Sequence, residues 1–283
     1  MKHVSRLLPD TEGRAVSYLE QRADSRSIVI LVHGLGQDGD DYADYLTAVP
    51  AQHSVAITLP GFEPDSLPGV PAVSLDDQVR TVAAFLRAIA EENYGKDLVL
   101  VGFSLGADII LRLAELNGMA GTHVPRLSLA LLLDPNVNQS TMSISSLFAR
   151  ADPRDPLPAF KQLIALAPDR DWFRDLCRYL VKIVRKDFVQ LKRLSQDVLA
   201  YWQPDGYDQI GSRLAAVSAM ADRMRVVLSG DYAEHVAPMR EASQGRGGGA
   251  ITFELTELRH FDLIAEHVLT RELRLAGEVS VRQ

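Results

Sequence analysis

The chain has a single cysteine, Cys177, so no internal disulfide is available and the fold does not depend on an oxidising compartment. That residue sits in Arg-Asp-Leu-Cys-Arg-Tyr-Leu, a helical pattern in which a thiol packs rather than reacts. No apolar run approaches the roughly 20 residues needed to cross a bilayer. Residues 1–10 lack the apolar centre of a signal peptide, so a cytoplasmic location is expected. A basic excess is also missing: 30 Lys and Arg stand against 37 Asp and Glu, a net charge of −7, which disfavours nucleic acid as a partner. No Walker-type phosphate loop occurs, and nothing in the sequence calls for a cofactor. His33, Asp38, Asp40 and Asp41 cluster, but the acidic run reads as a helix cap and first turn, so no metal is expected.

What is present is apolar material in periodic blocks. Hydrophobic residues make up 47% of 283 positions, enough for a substantial core. Residues 1–22 read as a hairpin turning at 10–13. Ser27–Val32 is a continuous β-branched run, suited to a strand covered on both faces. Further strands are expected at 55–59, 97–101, 127–133, 224–229 and 251–255. Helical spacing marks 75–92, 105–117 and a closing helix at 261–275. Strands alternating with helices imply a mostly parallel, doubly wound α/β sheet. About 90 residues between the fourth and fifth of these strands carry helical patterns at 171–183, 188–201 and 210–220, after a proline-rich start. They are expected to form a helical cap at 136–221, leaving 1–135 and 222–283 as the core. Glycines at 245–249 are read as a turn.

Gly102-Phe103-Ser104-Leu105-Gly106 stands between a buried strand and a helix. That context makes the pentapeptide a nucleophile elbow, with the Ser104 hydroxyl at the carboxyl end of the strand. The elbow is not a dinucleotide fingerprint. His33-Gly34-Leu35-Gly36 follows the first buried strand, and the backbone N–H groups of Leu35 and Leu105 are the candidate oxyanion donors. The His33 ring is read as a local hydrogen-bonding group that does not touch substrate. His260 follows the last strand and is the candidate general base; His3, His53, His123, His235 and His267 are less well placed.

With His33-Gly34, Leu59-Pro60-Gly61-Phe62, the Ser104 elbow and the late His260, the chain resembles the α/β-hydrolase superfamily over nearly its whole length. The resemblance implies a cap inserted after the family's sixth strand and a triad in the order Ser, acid, His. Members usually carry glycine before the histidine, where this chain has Arg259. For the acid, the resemblance suggests the segment Gly230-Asp231-Tyr232-Ala233-Glu234, or the strand end at Asp134 used by some branches. Asp134, Asp231 and Glu234 stay open, because these positions lie at the same end of the sheet. The implied activity is hydrolysis of an ester or thioester of a small-molecule acyl substrate by a monomer or homodimer. Acyl transfer, peptide or carbon–carbon bond hydrolysis, and non-catalytic binding are the alternatives. One or two of Trp172, Phe173, Tyr179, Tyr201, Trp202 and Tyr207 are expected to line a largely apolar cavity.

Overall fold

The apolar run at 27–32 becomes a strand whose six side chains are all buried, near the middle of an eight-stranded sheet. The computed structural model describes residues 1–8, 15–63, 71–119, 122–246 and 251–277. In chain order the strands are β1 (Lys2–Leu7), β2 (Ala15–Gln21), β3 (Ser27–Val32), β4 (His53–Thr58), β5 (Asp97–Phe103), β6 (Leu127–Leu133), β7 (Ala221–Leu228) and β8 (Ile251–Leu255). They are arranged β1-β2-β4-β3-β5-β6-β7-β8. The pairs β1–β2 and β2–β4 are antiparallel; every other pair is parallel. The expected turns at 10–13 and 245–249 fall wholly or partly outside the described residues.

Period-two alternation divides the core into two layers. Ile28, Ile30 and Val32 face one cluster with α2 (Leu75–Glu92), α3 (Leu105–Leu116) and α8 (Asp208–Met220). Val29 and Leu31 face the other with α1 (Ala43–Ala48) and α10 (Glu266–Leu275). Each such side chain, fully removed from water, contributes roughly 1.5–3 kcal/mol before the entropy of ordering is counted. Helices on both faces of a mostly parallel sheet make the doubly wound α/β architecture. Strand order reverses at β3, which lies between β4 and β5. The loops after β3 and β5 therefore part to opposite sides and leave a crevice at the carboxyl ends of the strands.

Four helices follow β6 and cluster together: α4 (Ser143–Arg150), α5 (Leu157–Ala165), α6 (Arg170–Ile183) and α7 (Phe188–Tyr201). The next helix, α8, packs on α3, β6, β7 and α9 (Val236–Ser243), so it is the crossover into β7 and lies beside the sheet. This helix falls within the 136–221 stretch expected as a cap, since helical periodicity is the same in a cap and in a crossover. Two strands begin earlier than expected. β4 opens on His53 and Ser54, polar residues hidden in the ladder, and β7 opens on Ala221 and the exposed pair Asp222 and Arg223. The closing helix starts later. Residues His260–Ile264 form a 3-10 turn, locked when the Asp262 carboxylate accepts from both the Arg259 backbone N–H and its guanidinium, and Ala265 is extended before α10 begins. Among the described residues no helix is long and apolar enough to cross a membrane.

Candidate active site

Ser104 follows β5 directly and caps α3 with φ 52° and ψ −116°, a conformation that costs a non-glycine residue of order 1–3 kcal/mol. The surroundings hold it there. Its N–H donates to the Leu133 carbonyl at 2.9 Å, and its own carbonyl accepts from Ala107 and Asp108 at 2.8 and 3.1 Å. Glycine is needed on both sides of the elbow. A Cβ at Gly102 would lie 2.6 Å from the Gly106 carbonyl oxygen, and one at Gly106 would collide with the Val32 carbonyl at the end of β3. That close approach brings the loop after β3 beside the serine.

The loop is fixed by its own histidine. His33 is fully buried, and desolvation lowers its pKa to about 4, so the ring is neutral at neutral pH. Its Nε2 accepts from the Leu59 N–H at 3.0 Å, which leaves the proton on Nδ1, donated to the Gly34 carbonyl at 2.7 Å. The Gln37 N–H donates to the same carbonyl at 3.2 Å. In a trans peptide the C=O and N–H point opposite ways. Holding the Gly34 carbonyl therefore turns the Leu35 N–H to the other side. Leu105 is the first residue of α3, where an N–H has no acceptor within the helix. Leu35, Leu105, Ser104 and His260 line one cavity of about 330 Å³.

Of the three carboxylates considered, the structure places Asp134 against the His260 ring. Its Oδ2 is 2.8 Å from Nδ1, and its Oδ1 accepts from the Ser229 N–H at 2.7 Å. Asp134 extends from β6 with φ 44° and no solvent exposure. With Nδ1 engaged, Nε2 is the nitrogen of His260 left for the cavity. The imidazole also packs on Phe103, ring centroids 4.6 Å apart. Asp231 lies on the cavity wall, but the Nδ1 of the His260 ring is taken by Asp134; burial, then the charge of Asp134, raises the pKa of Asp231. Glu234 is 84% exposed at its side chain and comes no nearer to a histidine than 3.7 Å from His235.

The cavity is more polar than an acyl pocket was expected to be. Of the six cap aromatics considered, Trp172 lines it; Phe173 is exposed, and Tyr179 and Trp202 are buried in the core. Hydroxyls of Ser140, Thr141, Ser143 and Ser145 share the wall. Sequence reading missed Asp108, one turn beyond Ser104 on α3. It is fully buried, accepts from Asn136 Nδ2 at 2.5 Å and Trp202 Nε1 at 3.2 Å, and has its pKa raised to about 7 by burial. The available signal was an aspartate on the buried stripe of an otherwise apolar helix.

Two other patterns resolve into structure. Asp38 caps the 3-10 turn Gly39–Tyr42 as expected from the acidic run, and among the described residues no group of three or more His, Cys, Asp and Glu is arranged to hold a metal. Gly34-Leu35-Gly36-Gln37-Asp38-Gly39 has the spacing of a dinucleotide loop. The space beside Gly36 is already filled by Ile183, Tyr179 and Leu191, and that beside Gly39 by the Ala56 carbonyl, so no pyrophosphate fits against this backbone.

Solved structures similar to this one include a thermophilic esterase from Thermogutta terrifontis, with TM-score 0.65 and 14% identity over 98% of this chain and 99% of that one. AqDC, described by its ring cleavage of the Pseudomonas quinolone signal, gives 0.68 and 16% over 98% and 100%. MenH from S. aureus gives 0.64 and 13% over 93% and 98%. Likeness at such identities establishes the fold alone. No curated protein matches by sequence. Residues 29–267 match the profile described as "Alpha/beta hydrolase family", a span that begins inside β3 and takes in β4 to β8 and all the cavity residues named above. The chain therefore belongs to the alpha/beta hydrolase family.

Proposed function

We propose that this protein is a serine hydrolase that cleaves an ester or thioester of a small-molecule substrate through an acyl-enzyme on Ser104. The observation that carries the reading is the 2.8 Å contact between Asp134 and His260 Nδ1, with Ser104 and the other side of that histidine on one cavity. Asp134 holds the neutral tautomer with its proton on Nδ1 and stabilises the imidazolium when it forms. His260 Nε2 takes the Ser104 proton as Oγ attacks the carbonyl carbon. The same proton passes to the leaving alcohol or thiol as its bond to carbon breaks. Water then attacks the acyl-enzyme as His260 takes its proton, and His260 passes that proton to Ser104 Oγ as the bond from Oγ to the acyl carbon breaks and the acid leaves. The N–H groups of Leu35 and Leu105 receive the oxyanion, each worth roughly 3–4 kcal/mol in such sites. Helices α4–α7 serve as the cap over the cavity, and no cofactor is required by this chemistry.

A fluorophosphonate probe, with p-nitrophenyl esters and CoA thioesters of graded acyl length, tests the reading. The wild-type protein is expected to be labelled and to turn over at least one series. Ser104→Ala should take no label and lose at least about a thousandfold in kcat. Undiminished hydrolysis by pure Ser104→Ala would refute the nucleophile.

A further inference from the structure

Both loops that carry the proposed chemistry are gripped by one cap helix. Tyr179 on α6 is buried and donates its hydroxyl to the Leu35 carbonyl at 2.8 Å. The ring of the same residue packs on Phe261, next to His260, with centroids 5.2 Å apart. One turn earlier on the same helix face, buried Asp175 faces the Arg259 guanidinium, Oδ2 to Nη1 at 2.8 Å, an ion pair outside hydrogen-bond geometry in which neither atom has a hydrogen-bond partner. Arg259 immediately precedes His260.

From these contacts we propose that α6 is a clamp that sets the oxyanion loop and the histidine loop in register, with Tyr179 and the Asp175–Arg259 pair as its positioning residues. The proposal rests on the serine-hydrolase reading.

The physical argument begins with the peptides on either side of Leu35. The preceding one is held from within the loop, by His33 and the Gln37 N–H on the Gly34 carbonyl. The following one is held through its own carbonyl by Tyr179. Loss of the Tyr179 hydroxyl releases the second peptide, so that Leu35 is anchored on one side only and its Cα can shift together with its N–H. Further contacts draw the helix and its C-terminal turn onto the same loop. Lys182 pairs with Asp41, Lys186 bonds Asp38 and the Phe62 carbonyl at 2.5 and 2.6 Å, and a Cβ at Gly36 would lie 2.5 Å from Ile183. On the other side Phe261 meets both Tyr179 and Trp172, and Trp172 lines the cavity. A movement of α6 away from the sheet breaks the holds on both loops together. Opening of the cap and disassembly of the site are then one event. Neither loop touches the other through these residues; the helix is their common support.

The test separates positioning from bulk stability. Tyr179→Phe keeps the ring on Phe261 and removes only the hydroxyl. It is expected to lower kcat by roughly tenfold or more, with KM within about twofold, since small misplacements of a reacting group are costly. Affinity for a trifluoromethyl ketone, which forms an oxyanion on Ser104, should fall by the same factor as kcat. Arg259→Gln should lower kcat in the same direction, and Arg259→Lys should recover most of that loss. The Arg259 pair of variants decides the matter if Tyr179→Phe does not fold. Wild-type kcat and wild-type ketone affinity in Tyr179→Phe would overturn the proposal, as would losses that follow the melting temperature and KM alone. If the wild-type protein is not labelled by fluorophosphonate, the hydrolase reading fails and takes the clamp with it. If it is labelled and Tyr179→Phe is indistinguishable from it, only the clamp fails.

Discussion

The elbow at 102–106 and the cap helix α6 both shape the same cavity, yet they are held by different forces. The elbow lies between strands whose residues are almost all buried, and its strained serine is fastened by backbone bonds to the end of β6 and by glycine contacts with β3. Helix α6 turns much of its surface to solvent, with Phe173 and Val181 48% and 67% exposed, and it meets the site through a few side chains: Asp175, Tyr179 and Lys182. Strain is tolerable only where the surroundings over-determine it. A segment held by separable polar contacts can detach without unfolding the sheet. The comparison teaches that the proposed nucleophile is set by the most densely buried part of the fold, while the groups proposed to assist it are set by a helix held through fewer contacts.

The largest test of that division concerns the proposed acid, Asp134, which extends from β6 beside the elbow. Asp134→Asn is expected to lower kcat by on the order of 10³–10⁴, because the amide favours the wrong tautomer of His260. Asp231→Asn should cost less than about tenfold, since the His260 Nδ1 is already engaged by Asp134. Steady-state kinetics of the two variants decide it, and equal effects would remove Asp134 from its special place. Next comes the elbow itself. Gly106→Ala should destabilise the fold by at least about 3 kcal/mol, because its neighbours are backbone atoms that cannot give way. Gly95 also has positive φ but nothing within 4 Å, so Gly95→Ala should cost only about 1 kcal/mol of backbone strain. Similar urea midpoints for both variants would break the argument from close approach.

The smallest effect concerns His33, in the loop that lies between the two regions. Burial keeps it neutral down to about pH 4, whereas the unfolded chain protonates it below about pH 6.5. The unfolded state therefore binds more protons in that window, and the wild-type protein loses stability from this residue as pH falls. His33→Gln has no such group. The stability gap between wild type and variant should narrow between pH 6.5 and 4, by about 1–3 kcal/mol, in urea melts at several pH values. A gap independent of pH would show that His33 is not held neutral.

Much of this was legible because it is local. A strand, a glycine, a serine, a glycine and a helix lie within some twenty consecutive residues, and each imposes its own constraint there. The placement of the candidate His260 on the loop that follows the last strand was legible for a similar reason. The boundaries were less so: His53 and Ser54 are polar yet lie inside β4, and α8 carries the same periodicity as the cap helices before it. Arg259 stood out as a departure from the family's usual glycine, but nothing nearby in sequence named Asp175 as its partner.

The sequence by itself determined the fold class, the positions of the sheet strands to within a few residues, and the serine and histidine candidates. Periodicity and turn chemistry act over short stretches, so a linear reading contains them. Only the tertiary structure decided which carboxylate meets the imidazole, which helix holds the Leu35 carbonyl, and that the cavity is lined by hydroxyls and acids. Asp134 and Asp231 sit at equivalent strand ends. The difference between them is that Asp134 meets the imidazole of a residue 126 positions away, a contact that only packing makes.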